Sequence, residues 1–125
     1  MSLVLIVEDN EKNLKLVRDV LQYKGYQTIE AGTGEDGVRL AKARVPDLVL
    51  MDIQLPGMDG ITALGELRAD PATRAIPVIA VTASAMTQDR KKIIAAGFDG
   101  YQSKPIKVKE FMDAVRETLD RRGAK

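Results

Sequence analysis

Five positions in this chain carry groups whose chemistry fits together: the carboxylates of Glu8, Asp9 and Asp52, the hydroxyl of Thr82 and the ammonium of Lys104. Each stands at the end of an apolar run or just past a strand-like segment. Three carboxylates brought close repel one another, so the arrangement is costly without a cation. Mg²⁺ suits such an all-oxygen set, because it is a hard ion that accepts a few carboxylates and keeps several waters. The chain has no histidine and no cysteine. Imidazole and thiolate ligands, a histidine base and a phosphohistidine are therefore excluded, and phosphoryl chemistry would rest on carboxylate, hydroxyl and amine groups.

Blander roles compete at each position. Glu8 and Asp9 read equally well as acids at a helix start. Thr82 alone is a plain strand-end threonine, and a lysine such as Lys104 is usually solvated. Asp52 is harder to dismiss: it closes the run Leu48-Val49-Leu50-Met51, and Pro56 and Gly57 keep the residues after it in a loop, so it caps nothing.

The segments that must position these groups alternate from end to end. The runs Leu3 to Val7, Leu48 to Met51 and Val78 to Val81 have the length and β-branched content of strands buried on both faces. Thr28 to Ala31 and Gly100 to Ser103 read as weaker strands. Leu14, Val17 and Leu21 repeat at helical spacing up to Gly25. Thr33 with Asp36 resembles a capping box for a helix that turns Val38 and Ala41 inward and breaks at Pro46. Asp59 caps a helix carrying Ile61, Leu64 and Leu67, after which Asp70-Pro71 and Pro77 bracket a loop. A polar helix from about Thr87 to Ala96, closed by Gly97, offers a core little beyond Ile93 and Ile94 and is expected to be loosely held. The last helix turns Val108, Phe111, Met112, Val115 and Leu119 to one side, although Lys107 is a poor N-cap.

Five strand-helix units predict an α/β fold: a five-stranded parallel sheet, helices on both faces, right-handed crossovers and the flavodoxin-like doubly wound order 2-1-3-4-5. Strands one, three, four and five then bring all the candidate groups to one edge. Composition agrees with one domain over residues 1–125. Hydrophobic residues are 45% and charged ones 30%, and 19 basic against 18 acidic residues leave a net charge of +1. That balance gives no general reason to expect nucleic-acid or membrane binding. The N-terminal apolar run is too short for a signal core or a membrane span, and a cytoplasmic location is expected.

Four stretches resemble the receiver domain of two-component response regulators, the CheY-like family, and within it single-domain receivers of the DivK type. They are Val4 to Asn10 (Val-Leu-Ile-Val-Glu-Asp-Asn), Leu50 to Gly60 (Leu-Met-Asp-Ile-Gln-Leu-Pro-Gly-Met-Asp-Gly), Val81-Thr82-Ala83 and Ser103-Lys104-Pro105, and the resemblance covers essentially the whole chain. Any one is weak. Their order and separations, 43 residues from Asp9 to Asp52, 30 to Thr82 and 22 to Lys104, make the set specific.

The resemblance implies that Asp52 accepts a phosphoryl group from a phosphohistidine on a sensor histidine kinase or histidine phosphotransfer protein. It implies Mg²⁺ held directly by Asp9, by Glu8 through water, and by the Asp52 carboxylate and the Gln54 main-chain carbonyl. Lys104 and Thr82 would contact phosphoryl oxygens, with small Ala83 leaving room. Thr82 and Tyr101 would act as the switch, and the fourth helix, fifth strand and fifth helix would present the output face to a downstream protein. No output domain is expected, and the chain is expected to be a switch and not a turnover enzyme. Two alternatives stand beside this reading, a Mg²⁺-dependent aspartyl phosphatase and a receiver cut from a hybrid histidine kinase. A phosphatase of that kind carries a second aspartate two residues after its nucleophile, where this chain has Gln54. A nucleotide or flavin binder is disfavoured by the lack of a GxxxxGK[ST] or GxGxxG loop. The cluster Arg90, Lys91, Lys92, Lys107 and Lys109 reads either as a solvated face or as a steering surface for an acidic partner.

Overall fold

The computed structural model describes residues 2–83 and 87–123, and the side chains of these except 87–89, 122 and 123. Five strand-helix units follow one another: β1 (Leu3–Val7), α1 (Glu11–Tyr23), β2 (Gln27–Ala31), α2 (Gly34–Arg44), β3 (Leu48–Asp52), α3 (Gly60–Ala69), β4 (Val78–Thr82), α4 (Thr87–Ala96), β5 (Gly100–Ser103) and α5 (Val108–Gly123). All strand pairs are parallel, in the order β2-β1-β3-β4-β5. This is the order expected from five alternating units, and it places β1, β3 and β4 in the middle of the sheet. Residues 1, 84–86, 124 and 125 of the expected domain lie outside the described residues.

Strand alternation divides the core in two. Leu5 and Val7 of β1, with Val49 and Met51 of β3 and Val78 and Ala80 of β4, face α2, α3 and α4. Val4, Ile6, Leu48, Leu50 and Ile79 face α1 and α5, where Val17, Leu21, Phe111, Met112 and Val115 close over them. Successive strand side chains point to opposite faces, so an unbroken apolar run is what a doubly covered strand requires.

The helix starts follow local chemistry. Asn10, not Glu8 or Asp9, caps α1, its side-chain oxygen accepting from the Lys12 and Asn13 amides. Thr33 accepts from Asp36 N and Asp59 from Thr62 N, as their positions predict. Lys107 precedes α5, and its carbonyl takes the first helical bond, from Phe111 N.

Some expected inward positions turn outward. On α3 the buried stripe is Gly60, Ala63, Leu64 and Leu67, and Ile61 is largely outside it. On α5 Val108 is exposed, because the helix only begins there and has not yet turned over the sheet. On α4 Ile93 is buried among the described side chains, while Ile94, one residue round the helix, is 66% exposed.

Candidate functional site

β3 and β4 run one residue further than their apolar cores, so Asp52 and Thr82 are the last residues of their strands and not loop residues. Asp52 lies opposite Val81, and Thr82 opposite Ser103. Glu8 and Asp9 follow β1 directly, and Glu8 N donates to the Ala31 carbonyl on β2. Lys104 follows β5. Its amide donates to the Thr82 carbonyl at 2.8 Å, tying the lysine backbone to the end of β4, and the Lys104–Pro105 peptide is cis.

The parallel sheet therefore gathers groups that are up to 96 residues apart in sequence, from Glu8 to Lys104. Carboxylate oxygens of Glu8, Asp9 and Asp52 lie within 4.8 Å of one another. Glu8 and Asp52 are buried and Asp9 is exposed. Lys104 Nζ donates to Glu8 Oε1 at 2.8 Å and to Asp52 Oδ2 at 3.0 Å, so it is not a solvated loop lysine. The other Asp52 oxygen accepts from Gln54 N at 3.1 Å, and Glu8 Oε2 accepts from Asn10 N. Thr82 is buried at the strand end, Ala83 is exposed beside it, and the Gln54 side chain points out to solvent.

Electrostatics follow from the crowding. Burial, reinforced by a hydrogen bond and repulsion from Asp52, pushes the Glu8 carboxyl up to about 7 against the lowering pull of Lys104. Burial works to lower the Lys104 ammonium, but its bonds to Glu8 and Asp52 hold it above its ordinary value. The Lys104 ammonium between the two buried carboxyls thus offsets part of the negative charge. An exposed carboxylate beside two buried ones, all oxygen donors, is a set that fits a hard divalent cation such as Mg²⁺.

The loop after β3 is held to the site by close backbone approach. A Cβ on Gly60 would run into the Asp52 carbonyl oxygen, and Gly60 N donates to the Ile53 carbonyl. Gly57, at φ +73°, makes the turn between them.

Tyr101 of β5 is half-buried, and the Arg90 guanidinium of α4 lies over its ring, 5.1 Å from the centroid. The sequence flags Arg90 only as part of a charge cluster. Its contact with the ring depends on how α4 lies against β5 and has no local signal. The same holds for Arg68, which binds the Arg74, Ile76 and Gly97 carbonyls and the Asp99 carboxylate at the opposite end of the sheet. Asp99 also accepts from Val78 N, so that clamp fixes where β4 begins.

Comparison with known proteins agrees with this geometry. The family model for the response regulator receiver domain matches residues 4–116. The chain belongs to that family. Among its relatives is the polar-differentiation response regulator DivK of Brucella ovis, 47% identical over 116 residues that make up 93% of this chain and 94% of the relative. The receiver domain of a sensor histidine kinase from Pseudomonas aeruginosa, solved with a magnesium ion coordinated in its active-site cleft, is 34% identical. It superposes with a TM-score of 0.89 over 95% of this chain and 98% of its own. A CheY-like receiver domain protein from Methanospirillum hungatei, 27% identical, also gives 0.89, over 99% and 98%. This receiver has the CheY-like fold of two-component signalling proteins. No helix among the described residues is long and apolar enough to cross a membrane.

Proposed function

We propose that this receiver is a phosphoacceptor switch of a two-component or phosphorelay system, in which Asp52 takes a phosphoryl group from a phosphohistidine on a sensor histidine kinase or histidine phosphotransfer protein. One observation carries the reading: Asp52 is a buried carboxylate at the end of a central strand, with two further carboxylates beside it and an ammonium 3.0 Å from one of its oxygens. In the transfer an Asp52 oxygen bonds to phosphorus as the donor's phosphorus–nitrogen bond breaks, and the leaving imidazole nitrogen keeps the electron pair. Phosphoryl transfer needs little from the protein beyond positioning and charge neutralisation.

Glu8, Asp9, Asp52 and the Gln54 carbonyl would hold Mg²⁺, whose charge, when it is bound, offsets that of the phosphoryl oxygens. Lys104 is already tethered to Asp52 and would contact one phosphoryl oxygen, and the Thr82 hydroxyl would donate to another. Ala83 leaves the approach open. The phosphoryl group, carrying a charge of about −2 and strong acceptor oxygens, would draw Thr82 inward, and Tyr101 would follow, changing the face made by α4, β5 and α5. Moving a resting domain from about 1:99 to 99:1 needs roughly 5.5 kcal/mol, which phosphoryl contacts and partner binding would share.

A switch is favoured over a turnover enzyme because Gln54 stands where an aspartyl phosphatase has its second carboxylate, and the chain has no histidine to carry a proton. The same chemistry serves a receiver that stands alone or one within a hybrid kinase. Incubation with acetyl phosphate and Mg²⁺ should add one phosphoryl group by intact mass, which then decays slowly, and Asp52→Asn should gain none. Equal labelling of the two proteins would defeat the assignment, and steady turnover of a phosphomonoester would favour the phosphatase.

A further inference from the structure

Thr82 and Tyr101 are diagonal neighbours across the β4–β5 pair. Tyr101 lies opposite Ala80, and Thr82 stands two residues beyond Ala80, so strand alternation turns the ring and the hydroxyl to the same face of the sheet. Val78 and Ala80 of that face belong to the core under α2, α3 and α4, and Tyr101 packs against the same core, half-buried. β5 is a four-residue edge strand, so the ring has a cross-strand neighbour on one side only. The exposed guanidinium of Arg90 on α4 lies over it, 5.1 Å from the ring centroid.

Arg90 differs from the arginine that anchors its helix. Arg68 donates to three carbonyls and to Asp99, and one of those carbonyls, Gly97, follows α4 directly, so the far end of that helix is fixed. Ile93, three residues from Arg90, is buried and holds the helix to the core. The Arg90 head stays in water, and among the described residues no carboxylate pairs with it. Its place over the ring is therefore set by a helix anchored elsewhere. A guanidinium without a carboxylate does not follow a ring into the core, because leaving water uncompensated costs far more than a cation–π contact returns.

We infer that Arg90 is a positioning residue of the switch: stacked on Tyr101 in the resting receiver, it holds the ring outward, and the contact is lost when the ring follows Thr82. The inference rests on the reading of Thr82 and Tyr101 as the switch. A contact made in only one of two states favours that state by its full worth, and an exposed cation–π contact shifts such an equilibrium about two- to fivefold. Labelling that proceeds through the minor state slows by the same factor, since only the competent fraction reacts. Arg90 thus biases the unphosphorylated receiver toward rest without touching Asp52 or the phosphoryl group.

The test reads Tyr101 directly, since the chain has three tyrosines and no tryptophan. In the full chain carrying Tyr23→Phe and Tyr26→Phe, acrylamide quenching of tyrosine fluorescence reports that ring alone. Adding Arg90→Gln should uncover the ring and raise quenching before labelling, whereas in saturating acetyl phosphate and Mg²⁺ the two proteins should coincide. Arg90→Gln should also speed Asp52 labelling about two- to fivefold, and should have no such effect in a Tyr101→Leu background. Lys91→Gln, which removes a neighbouring charge from the same helix, should leave both readouts at their wild-type values. If Arg90→Gln unfolds the chain by circular dichroism, Arg90→Ala takes its place with the same expectations. Unchanged quenching before labelling, a difference that persists after it, an unchanged labelling rate, or acceleration that survives Tyr101→Leu or appears equally in Lys91→Gln overturns the inference. Should Asp52 take no label at all, the switch reading fails, and quenching of the unlabelled proteins still decides whether Arg90 holds the ring.

Discussion

The raised Glu8 carboxyl has a definite sign in stability. Burial first, then the hydrogen bond with Asp52, carries it from an ordinary 4.5 to about 7, so between those values the folded chain binds more protons than the unfolded one. Stability of the metal-free protein should therefore fall as pH rises through this window, and the benefit is fully present only below about 4.5. Asp19, held low mainly by Lys15, titrates below 3.8 and outside the window. Denaturant melts in EDTA should show the slope in the wild type and a flatter profile in Glu8→Gln; the same slope in both would remove Glu8 as its source. Because a metal must displace the proton, Mg²⁺ affinity should drop as pH falls through the same range.

At the scale of elements, the junction between β3 and α3 sets where Asp52 lies. An alanine at Gly60 would bring its Cβ against the Asp52 carbonyl oxygen and to 2.9 Å from the Ile53 Cα, both backbone atoms with little freedom to yield. Gly60→Ala should cost about 1–3 kcal/mol and slow labelling by acetyl phosphate. Gly65, in the same helix with nothing within 4 Å of an added Cβ, is the control, and Gly65→Ala should stabilise by about 0.5–1 kcal/mol. If the two variants label at one rate, close packing at Gly60 does not position the acceptor. Val45 ends α2 with φ 43°, a left-handed conformation that a β-branched residue adopts at a cost. It is about half exposed and loses little packing when truncated. Val45→Gly keeps the amide bond to the Ala41 carbonyl, and thermal melts should show a gain of about 1 kcal/mol.

For the whole molecule, the three clustered carboxylates join β1 to β3, so a cation bound there would hold the centre of the sheet together. Mg²⁺ should raise the melting temperature by linkage, with about 2.7 kcal/mol at a hundredfold excess over Kd. Asp9→Asn should weaken that response and stabilise the metal-free protein by removing repulsion. An unchanged Mg²⁺ titration would return Asp9 to an ordinary surface acid. The capping role is already closed to it, since Asn10 makes those bonds.

The fold was legible because its determinants are local and periodic. The unbroken apolar runs of β1, β3 and β4, the oxygen-bearing caps at Thr33 and Asp59 and the stops at Gly25 and Pro46 are each read within a few residues, and alternation of five units restricts the sheet order. The candidate site residues were legible for a related reason: parallel strands share one C-terminal edge, so any polar residue closing a buried run is brought there. Orientation and pairing required the tertiary structure. No local pattern tells that Ile61, Ile94 and Val108 turn outward, because a helix's buried stripe is set by the angle at which it meets the sheet. Likewise the sequence marks Lys104 and Glu8 as candidates, but only closure of β1 and β5 around β3 and β4 puts an ammonium between two buried carboxylates and raises the Glu8 carboxyl. A charge's environment depends on distance and burial, and both are properties of the folded chain.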